Sequence, residues 1–198
     1  MSTGLAGSIN SGAGKIAKRR LEQLQLVFER AATLLRPHRE IENVGSELLA
    51  LLGEALGCEW GTLWKVDSSA QRLKPVATWS APKIQTARLA EHTINRALSP
   101  SEGTAGHVWR GRKPVWTRDL VRDMCLPRSL DAATAGLHGG VWFAIQTDSA
   151  VYGVVELLGT KIPAATQELL EGIETFGIRI GHLLEDQRQG ADSESRRS

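Results

Sequence analysis

Apolar positions along this chain change period several times, and each change marks an element. Leu21, Leu24, Phe28, Ala31 and Leu35 are spaced 3, 4, 3 and 4, one stripe on a helix. The pattern predicts a helix from Lys15 that stops at Arg36, because Pro37 disfavours helical geometry before it; this makes 15–37 an N-terminal helical segment. Residues 1–14 (MSTGLAGSINSGAG) carry no periodicity and are expected to be a flexible tail. A second helix is predicted over Glu40–Leu56, with Ile41, Val44, Leu48, Leu51 and Leu52 inward and Gly57 as its C-terminal cap.

Beyond Gly57 the period becomes two. Trp60, Thr62, Trp64 and Val66 alternate with Gly61, Leu63 and Lys65, and Asp67-Ser68-Ser69 turns the chain. Leu73, Pro75, Ala77 and Trp79 form the alternating face of the return strand, so the pair reads as a hairpin. Pro75 places that second strand at a sheet edge. Apolar strands recur at Gly140–Ile145 and Val151–Leu158, again joined as a hairpin. Between the hairpins, short helices are expected at Arg88–Leu98, Gly103–Gly111 and Arg128–Ala135, with a short strand at Lys113–Asp119. So long an irregular stretch inside a compact domain usually has a task of its own. The last helix, Ala164–Arg188, repeats a narrow seam: Leu169, Ile173, Phe176, Ile180 and Leu183. Residues 189–198 are polar and expected to be disordered, leaving 38–188 as the folded domain. The order helix, helix, hairpin, irregular segment, hairpin, helix describes an α+β sandwich.

The composition narrows what such a domain does. Of 198 residues, 41% are hydrophobic and 23% charged, ample for a core. A net charge of +2 gives no pull toward nucleic acid or anionic membrane. Lys15, Lys18, Arg19 and Arg20 read as a solvated helix face, since no aromatics interleave with them. No apolar run approaches the ~20 residues of a membrane span. Two cysteines, Cys58 and Cys125, make neither a disulfide framework nor a four-ligand zinc site. A cytoplasmic domain is expected. Ser11-Gly12-Ala13-Gly14-Lys15-Ile16 has only a superficial similarity to a phosphate-binding loop, because Ile9 and Ile16 stand where a glycine and a hydroxyl are needed.

The chemistry-bearing residues gather in the irregular segment. His107 and His138 are candidate pocket residues, since histidine is the residue type suited to a pH-sensitive response, and two of them fall short of a three-ligand metal set. Trp79, Trp109 and Trp116 are candidates for an aromatic pocket wall or for core, whereas Trp60, Trp64 and Trp142 are explained as sheet packing. Arg118, Asp119 and Arg128 are the candidate polar anchors; Arg128 is favoured for reading a carboxylate or phosphate, and Arg118-Asp119 as a surface pair.

Gly103-Thr104-Ala105-Gly106-His107-Val108-Trp109, Lys113-Pro114-Val115-Trp116-Thr117-Arg118-Asp119, Pro127-Arg128, Ala135-Gly136-Leu137 and Gly153-Val154-Val155-Glu156 together resemble the GAF domain. More narrowly, they look like the GAF domains of bacterial sensor histidine kinases and related signalling proteins, over about residues 40–187. The resemblance implies a central antiparallel sheet of five or six strands, N- and C-terminal helices packed on one face and a lid of loops and short helices on the other. It implies a small molecule held under that lid by Trp79, Gly106, His107, Trp109, Trp116, Arg128, Leu137, His138, Val141 and Phe143. It also implies a homodimer formed through Leu21, Leu24, Phe28, Leu35, Leu169, Ile173, Phe176, Ile180 and Leu183, with a signalling output protein or module as a further partner. Cys125 is followed by Leu126, which argues against covalent bilin attachment. The sequence lacks the Asn-Lys-Phe-Asp-Glu signature of cyclic-nucleotide-binding members and the close-set cysteines of the free methionine sulfoxide reductases.

Three functions are compatible with these residues, of which the first is the one expected and an enzyme is not. The first is a ligand-sensing regulatory domain, the second an interaction module with an empty pocket, and the third a small enzyme. The residues name no cofactor: haem or another chromophore, an aromatic acid and no ligand are all compatible with them.

Overall fold

The computed structural model describes residues 4–35, 39–123 and 128–195. Its elements are α1 (Gly4–Leu34), α2 (Ile41–Leu56), β1 (Trp60–Asp67), β2 (Arg72–Ser80), α3 (Ala87–Ile94), α4 (Gly103–Gly111), β3 (Val115–Thr117), α5 (Leu120–Asp123), α6 (Ser129–Thr134), β4 (Gly139–Gln146), β5 (Val151–Gly159) and α7 (Gln167–Ser195). The five strands form one sheet in the order β2-β1-β5-β4-β3, antiparallel throughout. Pro75 lies on β2, an edge strand, where a missing N–H leaves no gap in the interior of the sheet. Gly57 ends α2 in the left-handed region at φ 66°, its N–H donating to the Gly53 carbonyl.

Residues of alternating parity face opposite layers. On one face, Leu63, Val141, Phe143, Ile145, Val155 and Leu157 pack with α1, α2 and α7. On the other, Trp60, Trp64, Trp142, Val154 and Leu158 pack with Leu89, Leu98, Ala105, Val108, Leu120, Ala132 and Leu137 of the short-helix segment. That segment is the covering layer. On the helix face α2 lies against β1 and β2, and α7 lies along β4. Gly177 and Gly181 let α7 approach closely, since a Cβ at either would run into the backbone oxygen of Ala144 or Gln146.

Helix α1 packs on α7 and α2. Leu24 and Leu35 of its seam are buried against Leu169, Ile173, Phe176 and Ile180, with Leu21, Phe28 and Leu183 partly buried beside them. The residues expected at a dimer interface are therefore engaged inside one chain, because a narrow apolar seam is satisfied by whichever helix reaches it first. Two large apolar side chains of α1, Ile16 and Leu26, stay exposed.

Both long helices outrun their expected limits. The stretch expected as a tail over 1–14 is helical from Gly4, and the tail expected over 189–198 is helical to Ser195. Neither stretch contains proline, and adding residues to an already nucleated helix costs far less than starting one. The glycine-rich Ser11–Ile16 stretch is thus helix rather than a phosphate-cradling loop.

Candidate ligand-binding site

Beneath the covering layer sits a charged pair with no access to water. Glu156 lies near the middle of β5, directly paired with Thr62 of β1 on one side and Trp142 of β4 on the other. This row holds its carboxylate. Thr62 Oγ1 donates to Oε1 at 3.2 Å and Trp142 Nε1 to Oε2 at 2.9 Å. Arg128, immediately before α6, closes the pair with Nη2 at 2.9 and 3.1 Å from the two carboxylate oxygens. Its Nη1 donates to Thr93 Oγ1, and that hydroxyl donates to the Leu89 carbonyl at 2.6 Å. Side-chain exposure is 2% for Arg128 and 0% for Glu156.

Tryptophans surround the pair. The Arg128 guanidinium lies 5.2 Å from the centroid of the Trp64 ring, within cation–π reach. Trp60 Nε1 donates to Thr62 Oγ1 at 3.1 Å. Trp64 is fully buried, and its Nε1 finds no hydrogen-bond partner among the described residues. A solitary ion buried in such apolar surroundings is costly, so the two charges depend on each other.

The expected site residues divide among three places. Gly106, Trp109, Arg128 and Leu137 are in the covering layer as expected, with Gly106 letting α4 close onto Ser99. Trp79, Trp116, Val141 and Phe143 are on the opposite, helix face. Trp79 abuts Gly53 of α2, and the Trp116 indole donates to the Pro163 carbonyl at 2.9 Å. For Val141 and Phe143 the cause is parity: Val141–Ile145 is apolar at every position, so alternation alone does not tell which set faces the lid, and Trp116 shares the face of Val141, with which it pairs. His107 and His138 are exposed on the surface. His107 Nδ1 sits 2.7 Å from the Gly103 carbonyl one helical turn back, the geometry of a local surface bond. Conversely, Trp64 and Trp142, expected only as packing, touch the charged pair, and Trp60 reaches it through Thr62. Glu156, Thr62 and Thr93 were not foreseen as site residues. One signal pointed to Glu156: an acidic residue inside the apolar run Val154–Leu158 demands a buried partner.

Outside this centre, Asp131 of α6 ties the covering layer together through His92 Nδ1 at 2.6 Å and Arg88 Nε at 2.9 Å. The hydrogen bond with His92, aided by Arg88, holds its carboxyl below the usual range. Two cavities open elsewhere. One, of about 560 Å³, lies between the start of α2 and the later part of α7, with Glu42, Lys65, Tyr152 and Arg188 on its wall. The other, of about 630 Å³, is a shallow depression beside Trp116, Arg118 and Asp119. Among the described residues no group of His, Cys, Asp and Glu is placed to hold a metal ion, and no helix is long and apolar enough to cross a membrane.

Cys58 is buried in the helix-face core, where burial pushes its thiol up to about 12. It therefore remains protonated and unreactive at neutral pH. Iodoacetamide at pH 8, followed by peptide mapping, should label Cys58 only after unfolding; rapid native labelling would contradict this burial. Cys125 lies outside the described residues.

An antiparallel sheet carrying long helices on one face and a layer of short helices on the other is a small α+β domain built to enclose a centre between layers. The chain matches the GAF domain family model over residues 38–187, and it belongs to that family. No curated protein matches the sequence significantly. Among solved structures, it is similar to the GAF domain of a phosphoenolpyruvate-protein phosphotransferase from Coxiella burnetii, with a TM-score of 0.65 at 17% identity, covering 89% of this chain and 98% of that one. It is also similar to the A. aeolicus nlh2 GAF domain in an inactive state, with a TM-score of 0.63, 15% identity, and 84% and 98% coverage. The free methionine-R-sulfoxide reductase of Neisseria meningitidis in complex with its substrate has a TM-score of 0.62 at 14% identity, with 84% and 91% coverage. At these identities the likeness is one of fold, shared by sensory domains and enzymes alike.

Proposed function

We propose that this GAF domain is a regulatory sensor. It admits a small molecule between the sheet and the covering layer and passes the change through α7 and α1 to an output protein or module, in the manner of bacterial signalling proteins acting in the cytoplasm. The observation that carries this reading is the Arg128–Glu156 pair, which joins the covering layer to the central strand. Replacing such a pair by apolar residues is often neutral or stabilising, so stability alone is a weak reason for it. A physical route to the helices begins one residue away. Trp142 touches Glu156, and its neighbour Phe143 meets Phe176 of α7 edge-to-face at 6.0 Å; Phe176 meets Phe28 of α1 at 6.3 Å. A regulatory rather than catalytic role is supported by the inert state of Cys58 and by the surface position of His107 and His138.

A second reading has its own support: three tryptophans fill the space beneath the covering layer, as an interaction module with no ligand would require. A homodimer belongs to either reading, and its contact would fall on the outward side of α1, at Ile16 and Leu26. Native mass spectrometry of the gently purified chain distinguishes them. Reproducible extra mass supports the sensor, a clean apo dimer supports the interaction module, and a monomer removes the dimer.

A further inference from the structure

We propose that Glu156, with Trp64 and Trp142, forms a cation site that accepts an ammonium or guanidinium group and is filled by the chain's own Arg128. The proposal rests on the sensor reading and names the chemical class of its ligand.

The argument turns on which half of the pair is fixed. Glu156 belongs to β5, which is hydrogen-bonded on both sides, and the side chains that hold its carboxylate come from the two flanking strands in the same row. Its place is set by sheet register. Arg128 instead stands at the head of a six-residue helix whose main neighbours are the short helices α3 and α5. Leu130, two residues on, is 79% exposed. The covering half is thus the one that can leave, and what it leaves behind is negative.

A carboxylate in apolar surroundings needs a counter-charge, so the emptied site selects a cation. The face of Trp64, now 5.2 Å from the guanidinium carbon, favours an organic cation of low hydration over a metal ion. The unpartnered Trp64 Nε1 offers one further donor to a ligand bearing an acceptor. An anion seated on Arg128 would instead lie against Glu156 and be repelled. The same geometry explains how binding would signal: an incoming cation releases Arg128 from both Glu156 and Thr93, and so unties α6 from the sheet and from α3.

The test removes the internal cation and supplies one in solution. The 198-residue chain carrying Arg128→Ala is titrated with ethylguanidinium chloride and, separately, with sodium propionate, following the melting temperature. Ethylguanidinium should raise it by about 3–6 °C at ten times its dissociation constant, propionate should not, and Arg128→Ala/Glu156→Gln should lose the response. If Arg128→Ala does not fold, Arg128→Met keeps the volume and takes its place. An equal response to propionate, a response that survives Glu156→Gln, or no response overturns the proposal. The two readings also fail separately. A wild-type chain that binds a neutral or anionic molecule, with an unresponsive Arg128→Ala, keeps the sensor and sinks the cation site. A responsive Arg128→Ala beside a wild type that carries nothing keeps the site and sinks the sensor.

Discussion

Replacing Glu156 by Leu should lower the unfolding free energy by about 3–5 kcal/mol, read from urea denaturation. The loss is more than that of one attractive contact, because Arg128 is left charged and enclosed. Trp142 Nε1 and Thr62 Oγ1 lose their acceptor as well, and each orphaned buried donor costs about 1–3 kcal/mol when it finds no substitute. The partner substitution separates these costs. Adding Arg128→Met should recover a substantial part of the stability, since the isolated charge is gone and only neutral donors remain unsatisfied. A double variant as unstable as Glu156→Leu alone would mean that the stranded guanidinium is not the source of the penalty. The recovered double variant should also have lost its cation site, which makes stability and recognition separable at one position.

How much of this was legible in the sequence follows from what each pattern depends on. Period-two runs and the turn residues Asp67-Ser68-Ser69 depend on local geometry, and they gave both hairpins; Pro75 placed β2 at the edge. The Leu21–Leu35 and Leu169–Leu183 seams located the two long helices and implied a helical partner for each. A seam carries no information on whether that partner is on the same chain, and here it is. Strand parity was the costlier gap. In β4, Val141, Trp142, Phe143 and Ala144 are all apolar and all buried, so hydrophobicity is silent about which pair meets the covering layer. The lone acidic residue of β5 is not silent. Glu156 must face a cation, which fixes its face and, through direct pairing, places Trp142 and Thr62 beside it. Arg128 is read from the sequence as an anchor for the carboxylate or phosphate of a ligand; in the structure its guanidinium is engaged by the chain's own Glu156, a partner the sequence spacing does not reveal.

Phe176→Ala should cost about 3–5 kcal/mol, the usual range for emptying a buried aromatic position. The ring is 3% exposed and meets two others edge-to-face, each at an interplanar angle of 89°. Phe143 below it belongs to the sheet and Phe28 above it to α1, so one side chain spans three layers. Phe28→Ala should cost less, since that ring is only partly buried and Arg179 covers its outer face. The informative quantity is the coupling between the two. Edge-to-face pairs contribute about 0.5–1.5 kcal/mol beyond their area, so the double variant should be more stable than the summed single losses by about that amount. Additive losses would mean that α1 is not docked on α7 through these rings in solution. The route from the covering layer would then end at α7, and α1 would have no part in carrying the signal.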